Sequence, residues 1–256
     1  MDNVKFVVKG IGGLSRRNLE IIGTRKEHLE FGLLYKKENY QKFRDSPLRV
    51  FIRQNTDEIV ICGSIRKWYF GKYNLKNLSR NEYKNCICLI AEKLGIRKRR
   101  LWLCSVNKME VSLSMYLKPE NRFILLSFVE YKHFEKIRYG NNSLAFVGDA
   151  YGIKMYNPLV KNLNEIKYIK TVNGIEKVKF VSKKRRTEIL DRQFILRCEL
   201  DINRINKMDG FFRKSVNCPM DILRLWEKIY ISFREKLKDL TCYTINESLQ
   251  KEFDLM

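Results

Sequence analysis

Histidine is almost missing from this 256-residue chain: His28 and His133 are the only two. No H-x-H or HExxH cluster can form, which excludes the hydrolase signatures built on paired imidazoles. Cysteine chemistry is equally thin. Among seven cysteines there is no CxxC pair, and the one close pair, Cys86 and Cys88, falls in an apolar helical stretch rather than on a metal-binding knuckle. The thiols therefore read as buried and reduced. Four prolines and thirteen glycines leave little material for long linkers. No apolar run approaches the roughly 20 residues of a bilayer-spanning helix, and Met1–Gly10 lacks the basic-then-apolar order of a signal peptide. The expectation is a cytoplasmic protein with no membrane partner.

What the chain has in excess is positive charge. Lysine and arginine number 51 against 29 acidic residues, a formal charge of +22, in a sequence that is 45% hydrophobic and 12% aromatic. A basic disordered tail would be poor in large apolar residues, so this is a folded basic protein. Its cations recur along the whole chain and alternate with aromatics, as in Arg66-Lys67-Trp68-Tyr69-Phe70-Gly71-Lys72-Tyr73. Cations that neutralise a phosphate backbone, beside aromatic faces for unpaired bases, suit single-stranded nucleic acid. Nucleic acid is the expected partner, gripped by Lys67, Trp68, Tyr69 and Lys72, by the cluster Arg97, Lys98, Arg99, Arg100, and by Lys183, Lys184, Arg185, Arg186. Oligomeric state is not legible.

Periodicity predicts an α+β fold: an antiparallel β-sheet core with packed helices. Val4–Lys9 reads as a strand ended by Gly10-Ile11-Gly12-Gly13, a turn or a phosphate cradle. Leu48–Arg53 and Glu58–Gly63 read as a hairpin. Ser79, with Glu82 three residues on, opens a capped helix that closes at Gly95. A strand follows over Trp102–Tyr116, then an amphipathic helix over 121–137. Ser143–Val147 and Tyr151–Tyr156 flank Gly148 as short strands, Ile166–Val172 and Val178–Val181 surround the hairpin signal Asn173-Gly174, and Phe194–Asp201 alternates like a strand. One long final helix runs from Pro219 through Leu237. No repeat is evident. The expected division is an α+β domain over 1–205 and a C-terminal helical segment over 206–256 packed on it.

Tyrosine clusters with lysine and carboxylates. On a strand Lys154 and Tyr156 share a face, and a cation beside a phenol favours the phenolate. Phenolate attack on a phosphodiester gives a covalent 5′-phosphotyrosyl link and frees a 3′-hydroxyl; Tyr151 is the alternative nucleophile. Glu110, and Glu199 with Asp201 on one strand face, offer hard oxygen ligands for Mg²⁺ or Mn²⁺. The alternating Arg-x-Glu-x-Asp pattern also fits a solvated sheet face.

The ordered strings Gly63-Ser64-Ile65-Arg66-Lys67-Trp68-Tyr69, Gly71-Lys72-Tyr73-Asn74, Lys108-Met109-Glu110-Val111, Gly152-Ile153-Lys154-Met155-Tyr156-Asn157 and Leu196-Arg197-Cys198-Glu199-Leu200 resemble the gene II/X replication initiators of filamentous phages and related plasmids. The likeness covers about residues 50–205, with Pro158 standing where the family often carries lysine. It implies a replication-initiator-like fold and a rolling-circle endonuclease that nicks one strand, attaches through tyrosine and reseals. The partner it implies is DNA, and the positions it matches are Glu110, Lys154, Tyr156, Arg197 and Glu199, with Arg197 expected to bind the nucleic acid beside the other cations. The competing class is a non-catalytic single-stranded DNA or origin-binding replication protein, which needs the same charge and aromatics but no metal.

Overall fold

A computed structural model describes residues 1–10, 19–25, 28–33, 47–53, 57–165, 167–172, 175–208 and 210–242. The turn residues 11–13, 54–56, 173 and 174 lie outside this set. The fold is α+β, and the chain divides into two compact units.

The first unit comprises Met1–Ser112, Asp149–Tyr151 and Leu200–Phe233. Its sheet has the order β2(Leu19–Arg25), β3(His28–Leu33), β4(Leu48–Arg53), β5(Glu58–Ser64), β1(Asn3–Lys9), β6(Ser105–Leu117), with antiparallel pairing at each step. In β1, Val4, Phe6 and Val8 are buried while Asn3, Lys5, Val7 and Lys9 are more open, the period of two expected of a strand with one core face. Its pairing to β6 slips by one residue between Lys5 and Phe6. This bulge reverses the alternation of β6, so Val106 is buried on the same side as Met109 and Val111 although the spacing is odd.

The turn out of β5 depends on Gly63, whose φ is +126° and where a Cβ would sit 1.9 Å from the Pro47 carbonyl oxygen. Ser64 then caps α1(Ile65–Phe70), accepting from the Lys67 N–H at 3.0 Å. Helix α2(Arg80–Leu94) has the predicted capping box between Ser79 and Glu82 and ends at left-handed Gly95. It buries Tyr83, Cys86, Ile87, Ile90, Ala91 and Leu94.

Arg97–Arg100 is no plain connection: it leads into the short helix α3(Lys98–Trp102), and the strand begins at Ser105, later than expected. The final helix is also broken. After the short α7(Phe211–Ser215), it consists of α8(Pro219–Arg224) and α9(Trp226–Lys238), separated at Leu225.

The second unit comprises Leu113–Gly148, Gly152–Glu199 and Arg234–Met256. Its sheet has the order β6, β13(Phe194–Ile202), β10(Tyr151–Tyr156), β9(Ser143–Val147), β8(Glu135–Arg138). The predicted β9–β10 pair has its expected bounds and is antiparallel. The helix predicted over 121–137 is not formed. In its place stand a 3-10 turn, the four-residue α4(Ile124–Ser127), β7(Phe128–Tyr131) and β8. Strand β7 pairs with β14(Leu240–Cys242) and β8 with β9, with Lys132 at a positive φ of 49° making the bend. Partners distant in sequence outweigh the local helical spacing. After α5(Pro158–Glu165), the hairpin β11(Lys167–Val172) and β12(Ile175–Phe180) forms its own two-stranded sheet and is followed by the ten-residue α6(Lys183–Arg192).

Candidate active site

The start of the chain supplies a carboxylate that sequence reasoning missed. The Asp2 N–H donates to the Glu110 carbonyl oxygen at 2.9 Å, and its own carbonyl accepts from the Ile65 N–H at 3.0 Å. Arg66 Nε donates to Asp2 Oδ2 at 2.9 Å, while the Ser64 hydroxyl donates to Oδ1. Asp2 and Arg66 are each only 2% exposed, so this is a buried ion pair satisfied on both sides, with the guanidinium also donating to the Asn74 carbonyl. Next to it, Glu110 Oε2 accepts from Asn3 Nδ2 at 2.8 Å. The Gly-Ser-Ile-Arg string thus has a concrete use: Gly63 makes the turn, Ser64 caps the helix, and Ser64 and Arg66 hold Asp2.

On β13 all nine residues are buried, which overturns the reading of Arg197, Glu199 and Asp201 as a solvated face. Glu199 Oε1 accepts two hydrogen bonds, from the Tyr156 hydroxyl at 2.7 Å and from Arg197 Nε at 2.8 Å. Arg197 also donates to Ser114 Oγ at 2.8 Å. At 1% exposure it cannot serve as the phosphate grip expected of it; it orients Glu199 instead.

In the first unit Asp2 and Glu110, both buried, place carboxylate oxygens within 4.8 Å of each other. Hard anionic oxygens at that spacing can contribute to holding a divalent ion such as Mg²⁺ or Mn²⁺. Asp2 thus joins the expected ligand Glu110. Asp201 is paired with Lys108 at 2.8 Å and takes no part in the acidic group, whereas Asp2 does.

Tyr156 and Lys154 share a face of β10, because the intervening Met155 and the preceding Ile153 are fully buried on the other. Tyr151 has the opposite phase and starts the strand, so the hydrogen bond to Glu199 singles out Tyr156. Asn157 continues the motif as an N-cap, its Oδ1 accepting from the Leu159 N–H at 3.0 Å.

Trp68 is a second correction. It is fully buried and its indole N–H donates to the Leu33 carbonyl oxygen at 3.0 Å, leaving no face for a base. Tyr69 stands edge-on to Phe70, and exposed Lys72 lies 5.3 Å from the centre of the Tyr73 ring. Lys67 is half-buried in α1, whereas Arg97, Lys98, Arg99 and Arg100 are exposed. Lys183, Lys184, Arg185 and Arg186 form the first turn of α6, a turn without an acidic residue, and Arg185 pairs with Glu188 at 3.4 Å in the next. Cations there oppose the positive end of the helix dipole.

Only proximity in space could reveal Asp2: its partners stand 62 and 64 residues away. No helix among the described residues is long and apolar enough to cross a membrane. Comparison of the chain with protein-family models, with curated proteins and with solved structures yields no match.

Proposed function

We propose that this protein is a DNA-nicking and -joining replication initiator that attaches itself to one strand through Tyr156 and depends on a divalent metal. The observation that carries the reading is the hydrogen bond from the Tyr156 hydroxyl to the buried carboxylate of Glu199. Glu199 takes the phenolic proton as the tyrosine oxygen attacks phosphorus, the P–O3′ bond breaks, and the proton passes to the departing 3′ oxygen. The products are a 5′-phosphotyrosyl link and a free 3′-hydroxyl; reversal of these steps rejoins the strand. Lys154, on the same face, favours the phenolate, and Arg197 holds Glu199 in place. A divalent ion on Asp2 and Glu110 would supply charge neutralisation at the phosphate oxygens. The +22 charge supports a polyanionic substrate.

The test is incubation with supercoiled origin-bearing plasmid and Mn²⁺, reading open circles that carry protein. Tyr156→Phe should keep DNA binding and lose the covalent adduct, and mass spectrometry of the wild-type adduct should place the nucleotide on Tyr156. Adduct formation by the Phe variant refutes the assignment. Binding by the wild type with no nicking would favour the non-catalytic origin-binding class.

A further inference from the structure

At the far end of β1 the first unit has a cleft of about 400 Å³ whose wall combines the cations Lys9, Arg97, Arg99 and Arg100 with apolar residues such as Val8 and Leu103, and contains no acidic residue. One of its cations is fixed. Arg100 Nη1 donates to the Gly10 carbonyl at 2.9 Å, and a Cβ at Gly10 would sit 2.5 Å from Arg100 Nη2, so a glycine there lets the guanidinium lie against the chain. Among the described residues no carboxylate is in ion-pair contact with Lys9, Arg97, Arg99 or Arg100. Four cations around one concavity, none of them in contact with a carboxylate, fit a phosphate-bearing ligand.

The cleft and the acidic residues also share a side of the sheet. Asn3, whose side chain bonds Glu110, has the same strand phase as Lys5, Val7 and Lys9, opposite to the buried Val4, Phe6 and Val8. The bulge puts Ser105 on the side of Glu110 in the same way. From Asn3 to Lys9 is six residues, about 20 Å along the strand at roughly 3.3 Å per residue. Lys5 stands between them.

We infer that this cleft holds the backbone of a single nucleic-acid strand laid along β1, at a phosphate about six nucleotides from the one at the acidic residues, taking about 3.4 Å per stacked step. The inference rests on the nicking function for the identity of that second point, and on the cleft alone for phosphate binding. Lys5 provides a contact midway, and the cleft fixes the direction in which the strand leaves.

The experiment measures anisotropy of labelled 4-, 8- and 12-nucleotide single strands in EDTA, where no nicking occurs. It compares wild type, Arg97→Ala/Arg99→Ala, the charge-keeping Arg97→Lys/Arg99→Lys, and a control, Arg213→Ala/Lys214→Ala, that removes the same charge from exposed positions on another helix. The cleft variant should bind the 12-mer about tenfold or more weakly, with a salt slope smaller by about 1.4 for two lost phosphate contacts. The lysine variant should recover most of the loss, and the control should lose under threefold. Equal losses in cleft variant and control overturn the inference. So does efficient displacement of the 12-mer by ATP or pyrophosphate at matched phosphate concentration, which would make this a free-nucleotide site. Failure of the wild type to nick, with the cleft effect intact, refutes the proposed function and leaves the cleft standing.

Discussion

Replacing Glu110 by glutamine should make the metal-free protein more stable and at the same time remove its response to metal. Glu110 and Asp2 bring carboxylate oxygens within 4.8 Å of each other. At that distance two like charges repel by about 3.5 kcal/mol at an effective dielectric constant of about 20. Glutamine removes this pair, while its amide oxygen still accepts from Asn3 Nδ2, the partner of Glu110 at 2.8 Å. Arg66 on Asp2 already cancels part of the repulsion. A net gain of about 1–2 kcal/mol is expected, or roughly 2–8 °C in Tm for a chain of this size. The assay is thermal unfolding in EDTA and then in Mn²⁺. The wild type should gain about 2.7 kcal/mol when the ion is at 100 times its Kd; the glutamine variant should gain far less. A Gln variant that is less stable in EDTA and responds to Mn²⁺ like the wild type would refute the reasoning.

Two further outcomes can be checked on the same protein. Gly63→Ala should destabilise by about 2 kcal/mol or more, because the new methyl meets a backbone carbonyl at 1.9 Å and φ is positive; a urea midpoint unchanged from wild type would contradict this. Burial pushes the thiols of Cys104 and Cys198 up to about 12, and that of Cys86 higher still, so at pH 8 about one in ten thousand of the first two is thiolate. All three should resist a thiol reagent until the chain is unfolded in urea, and equal labelling rates in native and unfolded protein would contradict their burial.

Much of the fold could be read from local chemistry where local chemistry decides. The Ser79–Glu82 box, the Gly95 stop and the β9–β10 pair are short-range devices, and each stands where the residues put it. The segment 121–137 could not be read this way. Its apolar residues satisfy a helical period, but β7 finds its partner in β14, more than a hundred residues on, and no local signal encodes that. Trp68 misled for a related reason, since an aromatic between cations reads as a stacking platform unless Leu33 is known to be beside it. At the candidate site, Glu110, Tyr156 and Glu199 carried recognisable strand patterns. Asp2 carried none; only the Ser64, Arg66 and Glu110 contacts make it a member.

The arrangement of charge at the start of α6 makes that helix's own stability conditional. Four cations on the turn where the dipole is already positive weaken the helix by a few tenths of a kcal/mol each, and a polyanion lying over them would cancel that weakening. Tightening of the helix and binding of such a polyanion would then be one linked equilibrium, each favouring the other. Added salt would act on the two in opposite senses: it would screen the attraction for the polyanion, and it relaxes the repulsion inside the unbound helix.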